Sequence, residues 1–224
     1  MPLVESSIAY WFFAINCAQL GWVISYCFDI VWLAALFLAA GIVFLSILNA
    51  NIYNRDYVNG PVKEGTSPQD QEIPEELREL NIVMEFIIFR MPFQVHLGWA
   101  VFTLFVNINE VWAAFDLPSP GIIAIVSIVS MWTFGICILF IPRYPLFIAP
   151  LMIAWGAIGI WIELTNPRFD IRRNYERSEV MRMKGAAIAT CIEHILLPIL
   201  RFALHFAATY NLLERGAEEN LPGV

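Results

Sequence analysis

The sequence predicts an all-α integral membrane protein, a single bundle of about six transmembrane helices spanning residues 1–224. Three observations carry that prediction. The 224-residue chain is 59% apolar and 15% charged, with a mean hydropathy of +0.65; an average soluble domain has about a quarter of its residues charged. The charges are clustered, with Asp29 alone in 8–53 and Arg143 alone in 117–162. Six apolar stretches also approach or exceed the roughly 20 residues that an α-helix needs to cross hydrocarbon.

Those stretches are 8–26, 30–53, 90–115, 120–141, 144–164 and 186–212. The first two nearly touch, so Ser25–Asp29 reads as a tight hairpin, with Asp29 placed to cap the second helix by accepting from its first N–H groups. Asp116-Leu-Pro-Ser-Pro120 and Pro142-Arg-Tyr-Pro145 are turn sequences that lead into the next helix. Two hydrophilic connections remain. The acidic loop 54–85 contains a surface-helix start at Pro74 and runs toward the third span, with Pro92 at a kink or break. The basic loop 165–185 holds Arg168, Arg172, Arg173, Arg177, Arg182 and Lys184; the terminal side also collects six, Arg55, Lys63, Arg78, Arg90, Arg143 and Arg215, so the count ties, and only the denser cluster favours the cytosolic or matrix-like side for 165–185.

Net charge is −7, and the acid is concentrated in the 54–85 loop and the tail. Nucleic acid is therefore not an expected partner, whereas the lipid bilayer is. The cysteines, Cys17, Cys27, Cys137 and Cys191, are scattered through apolar segments and read as small packing residues. No cleavable signal is expected, because residues 1–7 carry no positive charge.

The polar residues inside these apolar runs are the functional signal. His96, Thr103, Asn107 and Glu110 are spaced seven, four and three apart, so they share one helical face within roughly 60°. His194, Arg201 and His205 share another, and Arg201 falls near the middle of the predicted span. There it needs several carbonyls or a carboxylate, for which Glu110 and Glu163 are the candidates. Intramembrane ionisable groups are costly and turn toward a partner or a cavity. The bland reading is that such stripes hold helices together; the functional one is a ligand site for the first and a subunit contact for the second. Glu193 and His194 are adjacent, so helical geometry points them apart.

Several chemistries lack their residues. A membrane-embedded Schiff base needs a lysine, yet Lys63 and Lys184 both lie in loops. No paired Glu-x-x-His motif prepares a di-metal bundle, and no metal site is expected. Ser127 and Ser130 have apolar neighbours and no evident base, so no catalytic residue is assigned and no enzyme activity is expected. Four tryptophans remain: Trp22, Trp99, Trp132 and Trp155. Several indoles around a pocket would suit a flat apolar ligand, and helix packing is the alternative.

The strings "MPFQVHLGWAVFTLFVN" (91–107) and "RYPLFIAPLMIAWGAIGI" (143–160), with Trp132 between them, resemble longer members of the tryptophan-rich sensory protein family, the TspO or translocator protein superfamily. The matching positions are Pro92, Phe93, Gly98, Trp99, Asn107, Trp132, Arg143, Trp155, Gly159 and Ile160, with Gly156 where Ala is usual. "INCAQLGWVISYCF" is similar to the family's Asn-x-x-Trp helix, with Gln19 in place of Asn and Trp22 kept. Longer relatives begin with two further helices that are not found in this sequence. The resemblance implies a helical bundle around a Trp-lined pocket, bounded by 8–26, 90–115, 120–141 and 144–164. Trp22, Trp99, Trp132 and Trp155 would stack on the ligand, and His96 and Asn107 would orient it. It further implies non-catalytic binding or transport of a flat hydrophobic molecule: a tetrapyrrole, sterol or lipid. The alternative is an accessory subunit of a respiratory or photosynthetic assembly, docking through His194, Arg201 and His205 together with Glu110.

Overall fold

A computed structural model describes residues 9–58, 84, 86–140 and 146–219. Apart from its two ends, the acidic loop 54–85 lies outside the described residues, as do the helix start at Pro74, the turn Pro142–Pro145 and Arg143. The described residues form seven α-helices and no strand: α1 (Ala9–Cys27), α2 (Val31–Val58), α3 (Met91–Ala114), α4 (Pro120–Phe140), α5 (Ile148–Thr165), α6 (Phe169–Asn174) and α7 (Arg177–Glu219). A π-helical turn, Phe86–Arg90, leads straight into α3, with Pro92 just past the junction.

Among the described residues, five segments are long and apolar enough to cross a bilayer: Val31–Ile52, Phe86–Ala114, Pro120–Phe140, Ile148–Thr165 and Arg177–Leu204. The 19-residue α1, predicted as a sixth, is not among them; Asn16 and Gln19 interrupt its apolar run. Only 22% to 39% of each crossing window is buried, so most of its apolar side chains face outward, as lipid contact requires. Phe13, Ile122, Ile162 and Phe206 are each 60% exposed or more.

The α3, α4, α5 and α7 helices close a ring, with α3 against α4 and α5, and α7 against both of these. The α1–α2 hairpin docks on α3 through α2. Leu97, Val101, Met131, Ile153 and Met183 fill the ring, and Leu45 and Leu48 fill the seam to α2. Close approach depends on missing side chains. A Cβ on Gly98 would lie 2.3 Å from the Ala149 carbonyl oxygen, so α3 and α5 touch backbone to side face. At the same seam the Ile148 N–H donates to buried Gln94 Oε1 at 3.0 Å, satisfying an amide that the start of α5 leaves free.

Asp29 does a different job from the expected one. It takes φ 56°, its N–H donates to Tyr26 O and the Ile30 N–H donates to Ser25 O at 2.9 Å. That pair is a Schellman ending of α1, with Asp29 in the left-handed position, rather than a side-chain cap on α2. Asp116 repeats it at φ 48°, with the Leu117 N–H donating to Trp112 O and its own N–H to Ala113 O. Asp tolerates the left-handed region better than most residues, although less well than Gly.

The 165–185 connection is largely helical. Its first part forms α6, and α7 begins at Arg177 instead of 186. Glu179 Oε2 accepts from the Glu176 N–H at 3.0 Å, which is half of a capping box and explains the early start.

Candidate functional site

A cavity of about 560 Å³ opens inside one end of the ring. Its walls are Phe105, Asn109 and Glu110 from α3, Ser127 and Met131 from α4, Ile160 and Leu164 from α5, and Met183 from α7, with Ile171 of α6 and Tyr175 beyond the helix ends. All four ring helices contribute the parts nearest the α6 side, so the cavity lies toward the membrane boundary. The size and the sparse polar groups match those of small-molecule pockets, which run to several hundred Å³.

The polar groups are held from behind. Asn109 Nδ2 donates to Phe105 O at 2.7 Å and to Ser127 Oγ at 2.9 Å. Tyr26 OH of α1 donates to Glu110 Oε1 at 3.1 Å. Asn109 Oδ1 and Glu110 Oε2 are buried and have no hydrogen-bond partner. Burial, followed by the charge of Glu179, pushes the Tyr175 phenol above its ordinary pKa.

The α3 stripe faces α1. Asn107, 2% exposed, accepts from Trp22 Nε1 at 3.4 Å and donates to Thr103 O at 3.2 Å. Thr103 back-bonds to Trp99 O at 2.8 Å. Apart from Glu110, which also reaches the cavity, these groups join α3 to α1 or stay on α3 itself. The four tryptophans separate into two sets. Trp22 and Trp99 meet edge to face at 5.4 Å, and the Trp99 and His96 rings lie 6.0 Å apart. His96 and Trp99 line a shallow groove of about 340 Å³ with Gln19, Pro92, Val95 and Met152. Trp132 and Trp155 are 41% and 65% exposed and line neither space.

On α7, His194 is fully buried and its Nδ1 donates to Thr190 O at 2.8 Å. The same nitrogen contacts Glu193 Oε2, so the adjacent pair does not point apart as expected. The imidazole fits because α4 carries Gly135 opposite it. Arg201 lies within the crossing segment Arg177–Leu204. Neither carboxylate expected for it meets it: Glu110 Oε1 accepts from Tyr26, and Glu163 pairs with Arg168 at 3.2 Å. Its guanidinium instead lies over the Phe140 ring, 5.7 Å from the centroid. The His205 side chain is outside the described residues.

Sequence reasoning missed Asn109, Tyr175 and Met183, and had set Ser127 aside. Asn109 could have been found, since it is a third polar residue on the turn that holds Asn107 and Glu110. Tyr175 belongs to a segment read as loop, and nothing local marks it as a cavity wall. No curated protein and no solved structure matches the chain. A family model does, covering residues 3–195; the chain is a multi-pass membrane protein that belongs to the TSPO-like protein family.

Proposed function

We propose that this TSPO-like membrane protein binds a hydrophobic small molecule, without catalysing its conversion, in the cavity between α3, α4, α5 and α7. One observation carries the reading: about 560 Å³ of space, walled mainly by apolar side chains, with Asn109, Glu110 and Ser127 grouped on one side. An empty volume of that size forgoes packing contacts that an apolar guest restores. Ser127 Oγ accepts from an amide and is not set against a base, which supports binding over chemistry. The groove beside Trp99 is more open and shallower, and supports ligand binding less well. Tetrapyrroles, sterols and lipids remain the classes that the family resemblance offers.

The test is saturable binding of pyrene to the purified protein, read as energy transfer from tryptophan. Ala124 lines the cavity, so Ala124→Trp should fill it and abolish saturable transfer. Val126→Trp, at a 49% exposed position, should leave binding intact. Equal binding by both variants would refute the site. Co-migration with a larger assembly in mild detergent, together with loss of binding on separation, would favour the accessory-subunit reading instead.

A further inference from the structure

The short helix α6 joins two spanning helices, α5 and α7, whose crossing segments end at Thr165 and begin at Arg177. It therefore sits where hydrocarbon gives way to headgroups. Its inner side is accounted for by Ile171, which walls the cavity together with Tyr175 just beyond the helix end. Its outer side is not. Phe169 is 69% exposed, and Arg172 and Arg173, three and four residues on, are exposed on the same face. Arg177 follows and is also exposed. Among the described residues none of these three guanidiniums has an ion pair. Residues 163–184 hold six bases against four acids. Three of those acids are engaged: Glu163 pairs with Arg168, Glu179 accepts from the Glu176 N–H, and Glu176 accepts from the Ser178 hydroxyl. A phenyl ring flanked by two guanidiniums suits neither water nor hydrocarbon. It suits the boundary, where the ring and the arginine stems lie among acyl chains and the guanidiniums reach phosphates.

We infer that the outer face of α6, made by Phe169, Arg172 and Arg173 with Arg177 beside it, is a docking surface for anionic phospholipid headgroups. Charge and position together choose the occupant. A guanidinium binds phosphate through paired N–H groups, and a headgroup without its own cation keeps the whole attraction. A zwitterionic headgroup brings an ammonium that cancels much of it. A soluble acidic partner would meet the arginines but would also have to cover Phe169, which acyl chains at this height cover already. The surface is separate from the cavity, so lipid docking stands or falls independently of the proposed ligand site.

The test titrates the full-length, detergent-solubilised protein with phosphatidylglycerol and with phosphatidylcholine of the same acyl chains, and counts the lipid that co-elutes with the protein by mass spectrometry. One basic residue near an anionic surface is worth about fivefold, so phosphatidylglycerol should bind at least about tenfold tighter. Arg172→Gln/Arg173→Gln should remove most of that preference and leave phosphatidylcholine nearly unchanged. Phe169→Ser should weaken both lipids alike, because the ring contacts chains and not headgroups. Raising salt from about 0.1 M to 1 M shortens the screening length from about 10 Å to 3 Å and should shrink the preference of the wild type, a readout that needs no variant to fold. Equal retention of the two lipids by the wild type would overturn the inference. So would a preference that survives in Arg172→Gln/Arg173→Gln or in high salt, or unchanged retention in Phe169→Ser. A polyglutamate peptide that binds the lipid-free protein as tightly as phosphatidylglycerol, and loses that binding in Arg172→Gln/Arg173→Gln, would overturn it too and make α6 a protein-docking face.

Discussion

Gly98→Ala probes the closest contact between α3 and α5. Its new methyl would sit 2.3 Å from Ala149 O and 2.7 Å from Met152 Cβ. A carbon and a carbonyl oxygen rest comfortably at about 3.3 Å or more, so the helices must part by about 1 Å. The obstacle is a backbone carbonyl within a helix and cannot rotate away. Parting by that much also stretches the Ile148 N–H to Gln94 Oε1 bond from 3.0 Å to about 4 Å, beyond hydrogen-bonding range. Overpacking strain and a lost buried hydrogen bond together cost about 2–4 kcal/mol. For a chain of this length that lowers Tm by roughly 5–15 °C. The assay is thermal unfolding of the detergent-solubilised protein, with Gly159→Ala as the control. Gly159 is on α5 with nothing within 4 Å of a built Cβ. There alanine should leave Tm unchanged or raise it slightly through helix propensity, about 1 kcal/mol at most. If Gly98→Ala is no less stable than Gly159→Ala, the α3–α5 seam is not packed as described.

Three further outcomes follow from other contacts. Gly135→Ala places a Cβ 2.1 Å from His194 Nε2, so the buried imidazole must swing away from Thr190 O at a cost of about 2–3 kcal/mol; adding His194→Ala should recover much of that loss in a double-mutant cycle of Tm values. Asp116→Gly should stabilise by about 0.5–1 kcal/mol by relieving the left-handed position, and Asp116→Val should destabilise by at least as much; equal Tm for the two would remove the Schellman assignment. Tyr175 should ionise above the ordinary 10.0 in a phenolate absorbance titration. Because its pKa is raised on folding, the stability it contributes is complete below 10 and is lost as pH rises through the higher folded value, and Tyr175→Phe should abolish that part of the alkaline decline.

How much of the site was legible depended on the residue. Helical periodicity put Asn107 and Glu110 on one face, and that face does meet a neighbour, in Trp22 and Tyr26 of α1, while of the two only Glu110 lines the cavity. The partners themselves were not legible, since a stripe says only that something polar must lie opposite. Trp132 and Trp155 read as pocket residues by type, yet stand 41% and 65% exposed. In water such exposure would be penalised; against lipid an indole on the outer face costs little, so residue type does not separate inside from outside. Arg201 was given a carboxylate from the list of carboxylates available, but Glu163 had a nearer cation in Arg168.

The sequence by itself determined that this is a helical membrane protein, roughly where each span lies, and which α3 residues share one polar face. These follow from a local rule: hydrocarbon forces backbone groups to pair within the segment, and a fixed thickness sets its length. The tertiary structure alone decided that four helices close a ring and that a cavity opens at its end beside α6. With apolar residues on nearly every face, lipid and protein compete for the same surfaces on similar terms. Small differences in shape, such as an absent Cβ at Gly98 or Gly135, then settle which helices meet.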